Sequence, residues 1–208
     1  MALLTDLLSA NTTDIAANSS AVSTIESPPN VHLGNVEVTA SSTTHIVVTN
    51  SLITSTYNAY LFRVNAPNIG WGYSRTGSPF HIQGYSSTSG WQYPNNMTTR
   101  GRRTDGNDMN SGNDVIAGVQ YAETGLYGSD KKGRIVLNVT VFNPSVVHGC
   151  SLEYTCSGPR PGGQWISSNG SGYFNNGTSN ETFNSFRFFS SDSWPIGSKC
   201  SVYGIKGF

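Results

Sequence analysis

Charge is scarce in this chain. Only 12% of its 208 residues are Asp, Glu, Lys or Arg, and 12 basic residues balance 12 acidic ones. That is about half the usual share for a globular domain. A basic face for nucleic acid is excluded on these grounds, because phosphate contacts need clustered Lys and Arg. The one basic cluster, Arg100, Arg102 and Arg103, is followed at once by Asp105 and Asp108. Long apolar runs are also missing. None approaches the roughly 18 residues of a spanning helix, so no membrane insertion is expected. The start, Met1-Ala-Leu-Leu-Thr-Asp, has no positive region and no cleavage site after it, so no secretory leader is expected. Cysteine occurs only at 150, 156 and 200. An odd count cannot pair fully within one chain, and no Cys/His spacing fits zinc. The thiols are read as free in a reducing cytoplasm. Cys150 and Cys156 bridge only if they face each other across a turn.

Ser, Thr and Asn are abundant, at 29, 20 and 20 residues, and Gly adds 23. Thr and the aromatics suit pleated strands, while Asn, Gly and Ser suit the turns between them. The 10 Tyr, 9 Phe and 4 Trp supply enough apolar bulk to exclude a charged, disordered coil.

Residues 1–27 differ from the rest. Gly is absent before Gly34 and Pro before Pro28. A seven-residue repeat runs through Met1, Leu4, Leu8, Asn11, Ile15, Asn18, Val22 and Ile25. On a 3.6-residue helix such a repeat imposes a left-handed supercoil when partners are present. Ser, Thr, Ala and Asp fill the other positions, so a lone helix here is marginal in water. It should form by association and stop before Pro28-Pro29. Asn11 and Asn18 fall at d, where a buried Asn costs stability and fixes register and strand number. Leu8-Ser-Ala-Asn11-Thr12 and Ile15-Ala-Ala-Asn18-Ser19 resemble the stalks of trimeric adhesins and phage fibres. The resemblance implies a homotrimer with the Asn amides turned inward around an anion. Two alternatives stay open: an amphipathic helix packed on its own domain, or an extended arm clamped onto a neighbour. Residues 28–34 are read as a linker.

From residue 35 to 208 the period becomes two. Expected strands are 35–39, 45–50, 57–64, 69–75, 80–86, 115–122, 133–142, 150–156, 164–174, 181–190 and 200–206. Tyr60, Phe62 and Val64 should form one inward face, and Phe186 and Phe188 another. This is an all-β pattern, a two-sheet sandwich of jelly-roll type with an N-terminal helical coiled-coil segment. Residues 86–114 are read as a long Gly/Ser loop region.

Near the C-terminus, Phe186-Arg-Phe-Phe, then Ser191-Asp-Ser-Trp-Pro-Ile-Gly-Ser, then Val202-Tyr203-Gly204-Ile205-Lys206, resemble the last two strands of a jelly-roll domain of tailed-phage structural proteins. The Tyr57 strand resembles that family's early Tyr-rich strand. Trp194 and Cys200-Ser201 depart from the pattern. The resemblance implies a bacteriophage virion protein assembled in the host cytoplasm. Its partners would be other virion proteins of tail or capsid, and its role a short fibre or spike engaged in host attachment. A head decoration (cement) protein is the alternative, and a free carbohydrate-binding module a further one.

No catalytic chemistry is evident. His32, His45, His81 and His148 lie in no recognisable motif, and Gly-x-Ser-x-Gly is absent. Glu123, Glu153 and Glu181 lie in or beside expected strands, and nothing in the spacing pairs them as a glycosidase needs. The stretch Asp105–Asp114 is rich in oxygen ligands but lacks EF-hand spacing, with Met109 at the fifth position. It reads as a polar turn region, and no metal or cofactor is expected. The better lead is aromatic. Trp71, Tyr73, Tyr85, Trp91 and Tyr93 lie around expected turns and form the candidate site for a host surface glycan or receptor. Trp165 and Tyr173 flank another loop, and Trp194 precedes a Pro. The contact is expected on loops, because the outer sheet faces are read as Ser/Thr-rich with few large apolar side chains.

Overall fold

A computed structural model describes residues 30–69, 81–103, 108–111, 133–147, 149–159, 165–174, 181–189 and 193–206. The heptad segment with Leu4, Leu8, Asn11, Ile15, Asn18, Val22 and Ile25 lies outside the described residues, as do Trp71, Tyr73 and the expected strand 115–122.

The described residues form twelve strands and no helix. In chain order these are β1 (Asn30–Glu37), β2 (His45–Val48), β3 (Ala59–Ile69), β4 (His81–Ser86), β5 (Gly90–Gln92), β6 (Asn95–Arg103), β7 (Asp108–Ser111), β8 (Gly133–Phe142), β9 (Ser151–Pro159), β10 (Trp165–Tyr173), β11 (Ser185–Phe189) and β12 (Lys199–Ile205). They make two sheets, one of order β1-β12-β3-β8-β9-β10-β6-β7 and one of order β2-β11-β4-β5. Every neighbouring pair is antiparallel. Most sequence neighbours β1 to β4 alternate between sheets, and β11 and β12 do the same, so the chain repeatedly crosses from one layer to the other.

Strict alternation builds the core. Leu137, Val139 and Val141 of β8 point inward, as do Tyr60, Phe62 and Val64 of β3. Ile46, Val48, Ile82, Phe186 and Phe188 answer them from the smaller sheet. The Phe62 ring lies 5.4 Å from both the Phe186 and Phe188 rings, which fixes the two layers against each other. Trp194 is buried at the entry to β12. Its indole N–H donates to the Thr44 carbonyl at 3.1 Å, and its backbone N–H to the Thr43 carbonyl at 2.7 Å. The unusual Trp of the C-terminal motif is therefore an anchor between layers. Gly204 lies on Tyr57: a Cβ there would come 2.5 Å from Cγ of that ring. Only a residue without a side chain lets β12 pass so close.

Several expectations need correction. β1 starts at Asn30, inside the segment read as a linker. Its backbone pairs with β12 from Ile205 back to Lys199, with a bulge between His32 and Gly34 that breaks the two-residue period. The region 86–114 is not one loop, because it contains β5, β6 and β7. Asp108–Ser111 of the oxygen-rich stretch is a strand paired to Thr99–Arg102. Among the described residues no group of His, Cys, Asp and Glu could hold a metal ion. Cys150, Cys156 and Cys200 are all buried thiols, and the possible 150–156 bridge is not formed.

Candidate functional site

The outer faces of the two sheets differ in how densely they carry rings. Arg63, Asn138, Thr140, Glu153, Thr155, Lys199 and Ser201 of the larger sheet lie opposite in phase to its buried positions. That face also carries Leu61, Val136, Phe142, Tyr173, Tyr203 and Ile205, with Arg63 and His32 against the Tyr203 ring, so it is mixed rather than purely Ser/Thr-rich. The four-stranded sheet departs from the expectation. Its outward positions are His45 and Val47 on β2, Ser185, Arg187 and Phe189 on β11, and His81, Gln83 and Tyr85 on β4, with Trp91 on β5. Tyr93 follows directly after β5.

Register explains the cluster. Phe189 pairs with His45 on one side and His81 on the other, so three rings share one row. The Phe189 ring stacks on His81 at 4.7 Å and 18°, and on His45 at 5.3 Å and 27°. Tyr93 lies 6.0 Å from both Phe189 and His81. At the other end of the sheet, Tyr85 pairs with Trp91, and their rings meet edge to face at 5.3 Å. A three-residue turn, Ser87–Ser89, produces that pairing, with Gly90 at φ 72° after it. A left-handed residue there suits a tight hairpin of this length. The turn is tied down: Thr88 N–H donates to Ser86 Oγ, Gln92 Nε2 to the Ser89 carbonyl, and Ser89 Oγ to the buried Glu181 carboxylate.

Arg187 joins the two ring groups. Its guanidinium carbon lies 4.5 Å from the centre of the Trp91 ring and 5.8 Å from that of Phe189. Its Nε donates to Gln83 Oε1 at 2.5 Å. Gln83 is only 4% exposed although it points to the outside, because this layer covers it. Burial draws the Arg187 guanidinium below its ordinary pKa, with the Tyr93 phenol acting the other way. Burial first, and the Arg187 charge second, hold the His45 imidazole below its ordinary value. Thr44 Oγ1 is hydrogen-bonded to Nδ1 of that ring at 2.7 Å.

Three of the five expected aromatic site residues, Tyr85, Trp91 and Tyr93, thus stand on one surface, a sheet face rather than a loop tip. Trp71 and Tyr73 lie outside the described residues. Arg187, Phe189, His45, His81 and Gln83 were missed. The signal was available in Phe188-Phe189: two successive Phe in a strand put one ring on each face, so the outer face had to be apolar too. Among the described residues, Glu153 and Glu181 do not converge. Glu153 is exposed on the larger sheet, Glu181 is buried beside the β4–β5 turn, and Glu123 is outside the described residues. A shallow groove on the larger sheet, lined by Phe142, Glu153, Ser171 and Tyr173, holds one carboxylate.

No family model and no curated protein matches the chain. Among solved structures, it is similar to E230A-fructofuranosidase from Schwanniomyces occidentalis complexed with fructosylnystose, at 11% identity and a TM-score of 0.44. That match covers 86% of this chain and 35% of the other. The fructofuranosidase from the same organism complexed with fructose matches at 10% identity, a TM-score of 0.44 and the same coverage. The chain spans about a third of the length of these structures, and likeness at this level carries no argument about activity.

Proposed function

We propose that this chain is a structural protein of a tailed-phage particle, a short trimeric fibre or spike whose head binds the host surface. The strand order supports a jelly-roll head. β1-β12-β3-β8 and β2-β11-β4-β5 are the two interleaved four-stranded halves of such a fold, and β9, β10, β6 and β7 extend the first half. The resemblance at the C-terminus is consistent with this order. Phe186–Phe189 lies in the smaller sheet and Val202–Ile205 in the larger, and Gly204 meets the ring of Tyr57.

The observation that carries the binding role is the outer face of the four-stranded sheet. It holds Tyr85, Trp91, Tyr93, Phe189 and Arg187 together with His45 and His81 in contact, whereas the outward rings of the larger sheet, Phe142, Tyr173 and Tyr203, stand among polar residues. Tyr, Trp and Arg are the residues enriched at binding hot spots. The role is binding rather than catalysis. Three heads on one axis multiply a weak contact into avidity, and the heptad segment 1–27 is the trimerising element.

Light scattering tests the assembly: the full chain should run at about three chains, and removal of residues 1–26 should give folded monomers or a weaker trimer. Adsorption tests the role: the purified protein should compete with particles for host cells. A monomer that does not compete would sink the fibre reading. A carbohydrate-binding module is the second reading, favoured by the rings on a sheet face. A monomeric full chain that binds a glycan but is absent from particles would select it.

A further inference from the structure

We propose that the aromatic face around Arg187 binds an acidic saccharide, with the guanidinium taking a sugar carboxylate and the exposed ring of Tyr85, beside half-buried Trp91, taking the sugar ring. This inference rests on the reading of that face as a binding surface.

Charge carries the first step. Arg187 has five N–H donors. Its Nε is used by Gln83, and among the described residues no carboxylate pairs with it. The outward positions of this sheet are His45, Val47, His81, Gln83, Tyr85, Trp91, Ser185, Arg187 and Phe189, and none is acidic. A partly dehydrated cation on an acid-free face attracts an anion more strongly than one in open water. Burial is the first cause of the lowered pKa of Arg187 and of His45, which marks this part of the face as partly dehydrated.

Shape carries the second step. The guanidinium is restrained by the Trp91 ring and by the hydrogen bond to Gln83 before any ligand arrives. A planar fork matches a planar carboxylate with two parallel hydrogen bonds. Rings flank it across the four strands, a width of about 14 Å at the usual strand spacing. Tyr85, at 37% exposure, is the most exposed of these rings. Tyr85 and Trp91 meet at 63°, which makes an angled aromatic corner whose open ring can take the face of a sugar ring. Apolar anchors of a peptide need a pocket to fill, and duplex or single-stranded nucleic acid needs several phosphate contacts rather than one arginine.

The test uses the full-length protein and titration calorimetry with saturation-transfer NMR. The probes are sialyllactose and tetragalacturonate, each beside its neutral counterpart, lactose and the methyl-esterified tetragalacturonate. Lactose sulfate and an oligoglutamate peptide complete the set. The expected result is binding of a carboxylated sugar at least about tenfold tighter than its neutral counterpart, weakened by raising salt from about 0.05 to 0.5 M. Arg187→Gln should remove about that tenfold preference and Arg187→Lys should keep part of it. If Arg187→Gln does not fold, Tyr85→Ala and the salt series on the wild-type protein still decide. The proposal is overturned if neutral and acidic sugars bind alike, if sulfate or peptide is preferred, if a folded Arg187→Gln protein binds unchanged, or if no saccharide binds at all. Competition with particles for cells without acidic-sugar binding would leave the attachment role standing and remove this one.

Discussion

Arg187 on β11 reaches across β4 to lie 4.5 Å from the centre of the Trp91 ring on β5. It passes over Gln83, which binds its Nε. The contact links non-adjacent strands and so braces the β4–β5 hairpin against β11. A cation over an indole at a partly dehydrated site is worth about 0.5–2 kcal/mol. A double-mutant cycle of Arg187→Met and Trp91→Leu, read by urea unfolding, should show a coupling of about 1 kcal/mol. Purely additive losses would mean that the two side chains do not interact.

Gly204 and Tyr57 form the tightest approach in the closing strand. A Cβ at 204 would meet Cγ, Cδ1 and Cδ2 of the ring at 2.5–2.7 Å. Gly204→Ala should cost about 1–3 kcal/mol through overpacking. Adding Tyr57→Ala should recover part of that loss, because the second change empties the space the first one invades. A Gly204→Ala protein as stable as wild type would show that β12 has room to shift.

His45 makes stability depend on pH. Its pKa is held below the ordinary 6.5 in the folded state. The unfolded chain therefore binds the proton more readily. The neutral ring's contribution is complete above the unfolded pKa and is lost as pH falls through the window below it, toward the folded value. Thermal melts from neutral pH to about pH 5 should drop less steeply for His45→Phe, which keeps a ring against Phe189 but cannot titrate. Equal slopes would remove His45 as a source of acid sensitivity.

The thiols should be silent in the native state. Burial pushes the Cys150 and Cys200 thiols far up, and thiolate is the reactive form. A chromogenic disulfide reagent should label neither residue at neutral pH until denaturant is added, after which all three thiols titrate. Rapid labelling of Cys150 or Cys200 in the native protein would contradict their burial.

The legible part of the fold lay where burial imposes a period. Arg134–Phe142 alternates cleanly, and β8 occupies Gly133–Phe142. Tyr60, Phe62 and Val64, and Phe186 and Phe188, point inward as the two-residue period required. β6 was missed because Asn95-Asn-Met-Thr-Thr-Arg-Gly-Arg-Arg carries no apolar alternation, and its pairing with β10 and β7 is made by backbone groups. The aromatic face was half legible. Tyr85 and Trp91 stood out by type, but their opposition depends on a three-residue turn, and the place of Arg187 depends on β11 pairing with β4 across a long stretch of chain. Long-range register of this kind is not written in local spacing.

A recognition surface on strands evolves under different rules from one on loops. Loops change reach and shape by gaining or losing residues. Inserting one residue into β4 or β11 would turn Ile82, Phe186 or Phe188 outward and send Tyr85 or Arg187 into the core. Length variation is closed to this face, and under the proposed binding role new specificity must come by exchanging one side chain at a time on a constant frame. Variants of this protein that adapt to different ligands should therefore keep the length of β11 and of the β4–β5 hairpin unchanged and differ at 85, 91 and 187.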